Sequence, residues 1–365
     1  MALVKDIYSE VFLETIMSAI LEYDATFNQA LFQQKIEAKG WEELTLMGRV
    51  DRFSSALHES LENKDLTVVG PLLLHIQETG KGLAYIFLPD YVAKYGQNNV
   101  PVALQLLEQL TSGSTGEFAI RAFLTNHYEE TMTKMKIWSQ HPTDEHVRRL
   151  ASEGCRTRLP WAKKVPGLVD QTADIITILK QLKDDESLYV RKSVANNIND
   201  LSKDHPQLVI ELMGEWHSNA SAEVMWLIRK GLRTLLKEGQ SDVLALLDYA
   251  AASDITLTDV VFNVDRVAVS LGETSTFTYS FDALASEKTT VRLLLEVDFV
   301  KKHGVSTKRF FLSEKKITPL MKTYGGEKNY VWKNLTTRQH YTGTHVFRLV
   351  LNGEIIGETT VDFSI

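Results

Sequence analysis

The sequence predicts a mainly α-helical chain: a HEAT-like helical-repeat solenoid over residues 1–254, followed by an all-β, immunoglobulin-like sandwich over residues 255–365. Three observations carry this reading. Val147-Arg148 and Val190-Arg191 open two helical patterns of the same plan 43 residues apart, and Ile228-Arg229-Lys230-Gly231-Leu232 follows 38 residues later. Helix pairs repeating every 40 to 47 residues or so are characteristic of HEAT-type solenoids. From Ile255 onward the period becomes two, through Val267, Val269 and Leu271, then Phe277, Tyr279 and Phe281, then Val291, Leu293, Leu295 and Val297. Finally, Asn352-Gly353 stands between alternating runs, a strong hairpin signal.

The helices can be taken in order. Apolar residues at helical spacing run through Val4, Ile7, Val11 and Ile16, then Phe27, Leu31 and Phe32, then Trp41, Leu44, Met47, Val50, Phe53 and Leu57. A helix ending at Tyr95 is stopped by Gly96, and Val102–Leu110 forms the next, closed by the turn TSGSTG. That turn lacks the Gly-Lys-Ser/Thr ending of a phosphate loop. A helix is expected over Glu117–Leu124 and another over Thr131–Trp138. Thr143 or Asp144 caps a helix running to Glu153, on which Arg149, Glu153 and Arg156 share one face. Pro160-Trp161 re-aims the chain, and Thr172–Lys183 and Leu188–Leu201 form the following pair. Pro206–Trp216 and Ala222–Lys237 supply another. In the sandwich, Tyr341 occupies a position like that of a tyrosine corner, although the cysteine pair of antibody domains is absent.

With 44% hydrophobic and 24% charged residues the composition is that of an ordinary globular protein, and its apolar runs fall far short of a membrane span. The N-terminal stretch carries Asp6, Glu10 and Glu14 among its apolar residues, an amphipathic helix and not an export signal. A lone cysteine, Cys155, excludes an internal disulfide framework and suits a reducing, cytoplasmic setting. No His/Cys spacing suggests zinc. The net charge of −7 argues against a generic nucleic-acid binder, but the charge is unevenly spread. Residues 1–110 hold 8 Lys/Arg against 15 Asp/Glu, whereas residues 134–164 hold 8 against 3. A local basic strip can bind a polyanion on an acidic protein, because screening beyond about 8–10 Å lets local charge decide.

The segments YVAKYG, LEQLTSGSTGEFAIRAFL, EHVRRLASEGCRTRLPWA and YVRKSVANNINDLSKDHP resemble the AlkC/AlkD family of HEAT-like repeat DNA glycosylases, over roughly residues 40–240. Thr157 and Ala122 stand where that pattern has proline. Some AlkC-type members carry a C-terminal immunoglobulin-like domain, in keeping with the β-rich tail. The resemblance implies hydrolysis of the N-glycosidic bond of cationic methylated bases, chiefly 3-methyladenine and 3-methylcytosine, in double-stranded DNA.

The chemistry agrees with that implication. Cutting a glycosidic bond builds an oxocarbenium-like cation, which carboxylates stabilise. A base that is already cationic leaves without much protonation, so neither a metal nor a cofactor is required. The expected catalytic residues are Glu117, Glu153 and Asp200, one in each of three family-like motifs. Arg148, Arg156, Arg158, Lys163 and Arg191 are expected to contact phosphates, and Trp161 to stack on DNA. Asn196 and Asn197 sit mid-helix despite poor helix propensity, and DNA contact would account for them. Each carboxylate also has a plain structural reading: Glu153 can pair with Arg149 or Arg156, Glu117 suits a helix start, and Asp200 can cap its repeat. The alternative function is a non-enzymatic HEAT-type scaffold holding a protein in its groove. The enzyme reading expects a monomer with no obligate protein partner and no membrane attachment.

Overall fold

The computed structural model describes residues 4–335 and 338–365. The helices are α1 (Glu10–Tyr23), α2 (Gln29–Ile36), α3 (Leu46–Ser60), α4 (Leu66–Glu78), α5 (Phe87–Tyr95), α6 (Val100–Leu110), α7 (Ile120–Asn126), α8 (Tyr128–Trp138), α9 (Glu145–Gly154), α10 (Thr172–Leu182) and α11 (Leu188–Leu201). They are followed by α12 (Pro206–His217), α13 (Ala222–Gly231), α14 (Arg233–Glu238) and α15 (Ser241–Leu246). The chain divides into two compact units, one ending at Asp204 and one starting at His205. The expected division at 254/255 marks the change from helix to strand, but α12–α15 group with the sandwich.

In the first unit, α1–α11 bury an apolar core that includes Ile16, Phe32, Phe53, Phe87, Tyr91, Leu107, Phe123, Met135, Leu150, Ile178, Val194 and Ile198. Local chemistry sets the helix starts. Asp144 caps α9 by accepting from the His146 amide at 2.8 Å, and Ser187 caps α11 by accepting from the Tyr189 amide at 3.2 Å. Packing is tight where small residues meet. A Cβ on Gly154 would lie 2.6 Å from Ile120 Cγ2, so only glycine lets the end of α9 approach α7 this closely. The Ser152 hydroxyl of α9 lies 3.0 Å from the Ser193 hydroxyl of α11.

Two expectations about the helices need correction. The helix expected from Glu117 begins at Ile120, and Glu117 lies in the turn before it, with the Ile120 amide donating to the Gly116 carbonyl at 3.0 Å. The third sequence copy is also not equivalent to the first two. Val147 and Val190 lie near the starts of α9 and α11, whereas Ile228-Arg229 lies near the end of α13.

The second unit's strands are β1 (Ile255–Val264), β2 (Ala268–Ser270), β3 (Thr274–Ala285), β4 (Thr289–Val300), β5 (Val305–Ile317), β6 (Lys322–Val331), β7 (Gly343–Leu351) and β8 (Glu354–Ser364). They form one sheet in the order β1-β3-β6 and another in the order β2-β8-β7-β4-β5, antiparallel except for β2 beside β8. Phe277, Phe281, Leu293, Leu295, Phe299, Trp332, Phe347, Leu349 and Phe363 form the core between them. Asn352 (φ 45°) and Gly353 (φ 92°) make the expected hairpin turn between β7 and β8, where two positive φ values match the strand twist. The alternation expected through Val267, Val269 and Leu271 buries only Val269, because β2 is a three-residue strand and both flanking residues are exposed.

The tyrosine-corner expectation is not met among the described residues. Tyr341 Oη donates to the Gln339 side chain at 3.2 Å and, among those residues, makes no bond back to an upstream carbonyl. Two buried histidines hold this corner instead. His345 Nε2 bonds the Tyr341 carbonyl at 3.1 Å, and His340 Nε2 meets Tyr330 Oη at 3.3 Å. Burial, with Arg338, His345 and Lys301 adding repulsion, pulls the His340 pKa down to about 4. His345 is lowered as well, mainly by burial. The unfolded chain binds protons near pH 6.5 that the folded sandwich refuses, so stability is full above that pH and is lost as pH falls toward 4. Thermal melts between pH 7.5 and 4.5 should show a steep decline for the wild type and a shallower one for His340→Gln.

Candidate active site

The three expected carboxylates come from three separate elements and meet in one buried chain of charges. Glu153 sits in the last turn of α9, Asp200 in the last turn of α11, and Glu117 in the turn before α7; their exposures are 6%, 3% and 6%. Two arginines join them. Arg149 reaches both oxygens of Glu117 at 3.3 Å and lies 3.7 Å from Glu153 Oε1. Arg156 donates to Glu153 Oε1 at 2.6 Å through Nη1 and to Asp200 Oδ2 at 2.8 Å through Nε. Ser193 completes Glu153 by donating to Oε2 at 2.7 Å, and Lys203 lies 3.5 Å from Asp200 Oδ1. The repeat makes this possible: stacking α11 against α9 brings Asp200 beside Arg156, which the end of α9 already pairs with Glu153.

The electrostatics follow from burial. Desolvation alone would lower the pKa values of Arg149 and Arg156, but Glu117 and Glu153 around the first, and Glu153 and Asp200 around the second, more than offset it and raise both. The Arg149 guanidinium also lies 4.7 Å from the centre of the Tyr189 ring, which is 40% exposed and carries the network to the surface. Burial raises the Tyr189 pKa, with Arg149 partly opposing and Glu117 adding to it. Three carboxylates against two buried arginines leave one negative charge, which the partly exposed Lys203 offsets from 3.5 Å.

The remaining expected residues divide by what they touch. Arg148 is committed within the protein: it grips Asp185 at 2.6 and 3.1 Å and the His141 carbonyl at 3.2 Å. Arg191 donates to the Asp185 and Glu186 carbonyls at 2.5 and 3.0 Å, so both arginines fasten the turn preceding α11, Arg191 from within that helix and Arg148 from α9. Arg158 is exposed and forks onto Asp204 at 2.6 and 3.1 Å. Asn197 is fully buried and donates to the Ser152 carbonyl at 2.8 Å, which accounts for an asparagine in mid-helix; Asn196 is half-buried. The Lys163 side chain is exposed. Trp161 is 70% exposed, and its backbone sits at φ 65°, in the left-handed region. Cys155 is buried, its thiol pushed up to about 12 by desolvation, so it is an inert filler.

Sequence reasoning offered Arg149 only as a structural partner of Glu153, from its i, i+4 spacing, and left out Ser193, Tyr189 and Arg121. Arg121 left no signal, because its partners are main-chain carbonyls of Gly154, Arg156 and Lys163. Among the described residues, no three His, Cys, Asp or Glu side chains are grouped as a metal site, and no helix is long and apolar enough to cross a membrane.

Comparison with known proteins places the chain in a family. The model of the family described as "DNA alkylation repair enzyme" matches residues 24–235, and that of "Uncharacterised protein YhaZ, C-terminal Ig-like domain" matches residues 259–365. The chain is 37% identical over 372 residues to "Uncharacterized protein YhaZ" of Bacillus subtilis (strain 168), covering 100% of both. It also superposes, with a TM-score of 0.92, 32% identity and 100% coverage of both chains, on the structure of a Pseudomonas fluorescens alkylpurine DNA glycosylase, AlkC, bound to DNA containing an abasic-site analogue. With the family model spanning more than half of its length, the chain belongs to the DNA alkylation repair enzyme family.

Proposed function

We propose that this chain is a DNA glycosylase that hydrolyses the N-glycosidic bond of cationic alkylated bases, 3-methyladenine and 3-methylcytosine among them, in double-stranded DNA. The observation that carries the reading is the buried Glu117–Arg149–Glu153–Arg156–Asp200 chain, with carboxylates in excess. A sugar cation forming about 5 Å from a fixed carboxylate gains about 3 kcal/mol at an effective dielectric near 20, roughly two decades in rate. Because the base is cationic before it leaves, its departure as a neutral molecule needs no proton. Both Glu153 oxygens are engaged, by Arg156 and Ser193, so Glu153 serves as fixed negative charge. Among the described residues Asp200 Oδ1 has Lys203 at 3.5 Å as its partner, and it is the acceptor that aligns the attacking water.

The test is release of free methylated bases from duplex DNA treated with N-methyl-nitrosourea. Release by the wild type supports the reading; tight DNA binding or protein binding without release would establish a scaffold.

The sandwich contributes phosphate contacts of its own in this reading. Lys302, Lys308 and Lys316 are exposed and form no ion pair among the described residues, whereas Arg309 is tied to Glu296 at 2.6 Å and Lys315 to the Gly325 carbonyl at 3.1 Å. Neutralising Lys302, Lys308 and Lys316 together should flatten the salt dependence of DNA affinity by about 0.9 in log–log slope for each lysine that pairs with a phosphate. An unchanged slope would remove these lysines from the DNA interface.

A further inference from the structure

Arg121 is buried, 4% exposed, and has no carboxylate within ion-pair distance among the described residues. Its guanidinium serves three main-chain carbonyls instead: Gly154 at 3.1 Å, Arg156 at 2.9 Å and Lys163 at 2.7 Å. A buried cation without a counter-ion is costly, and burial together with Arg156 accordingly lowers its pKa. Capping α9 would explain the bonds to Gly154 and Arg156, since cationic side chains favour helix C-termini. The bond to Lys163 lies outside any helix and has no such explanation. One planar group thus fastens the start of the irregular segment between α9 and α10 to its middle, closing off the 155–163 stretch that carries Trp161. Trp161 is itself held at φ 65° with most of its indole in solvent, a conformation that persists only where the surroundings over-determine it.

We infer that Arg121 is a positioning residue that locks the 155–163 segment so that Trp161 is presented to DNA. This deepens the glycosylase reading and rests on it for its activity arm. Arg121→Lys keeps the charge but replaces a planar fork with a point donor that cannot span three carbonyls. Single-turnover excision at saturating DNA should fall about 10-fold or more. Trp161→Ala should also lose activity, and the double variant should be no worse than Trp161→Ala alone; losses that multiply would overturn the link.

A DNA-free readout separates the inference from the activity. With the six tryptophans replaced by 5-fluorotryptophan, the Trp161 fluorine resonance, assigned with Trp161→Phe, should shift or broaden in Arg121→Lys. An unmoved Trp161 resonance would overturn the proposal even if excision falls. If the wild type releases no base, the glycosylase reading fails while the resonance still decides the role of Arg121. Should Arg121→Lys fail to fold, a glycine inserted between Ala162 and Lys163 leaves the three bonds in place but slackens the span. It must broaden the same resonance, and an unchanged resonance would overturn the proposal.

Discussion

Asp200→Asn should lower single-turnover excision by about 100-fold or more, on the order of 3 kcal/mol, with much less change in DNA affinity. The substitution keeps size and hydrogen-bonding shape and removes only the negative charge. Its structural cost is specific: Arg156 keeps Glu153 at 2.6 Å but loses its charged partner at 2.8 Å. Breaking a buried pair from one side typically costs about 3–5 kcal/mol. Asp200→Asn should therefore melt earlier than the wild type, and its excision is best measured well below that transition. Glu153→Gln should behave the same way, since Arg149, Arg156 and Ser193 all converge on that carboxylate. Full activity in both variants would remove these carboxylates from the chemistry.

Trp161→Asn should cut excision about 10-fold or more while leaving thermal stability unchanged or slightly raised. Stacking of an aromatic on a base is worth about 1–3 kcal/mol, and that contribution disappears with the indole. Stability should not suffer because the side chain is 70% exposed and asparagine tolerates the left-handed backbone better than tryptophan. Single-turnover rates and melting curves on the same preparation check both halves. A large drop in melting temperature would instead make Trp161 a structural residue.

The fold was legible because its determinants are periodic. The 43-residue offset between Val147 and Val190 reproduces the stacking of α9 on α11, and Leu188–Leu201 is a helix over the span its pattern predicts. That the three carboxylates meet was legible because each lies in a distinct family-like motif. The arginines were harder. Nothing along the chain tells whether Arg148 meets a phosphate or Asp185, 37 residues away, because that depends on the register between repeats. Arg121 was invisible for a different reason: carbonyl oxygens belong to every residue type. The left-handed backbone of Trp161 and the exposure of Val267 and Leu271 likewise arise from local chain path, which side-chain pattern does not encode.

In the glycosylase reading, a buried network of carboxylates stabilises a developing sugar cation. The most direct measurement compares DNA affinity for two abasic-site analogues of the same shape, one with a cationic nitrogen in the sugar ring and one neutral. Complementarity to the transition state should make the cationic duplex bind about 100-fold more tightly to the wild type. Asp200→Asn should erase most of that preference while binding the neutral duplex as well as before. Equal wild-type affinity for the two analogues, or a preference untouched by Asp200→Asn, would contradict the account.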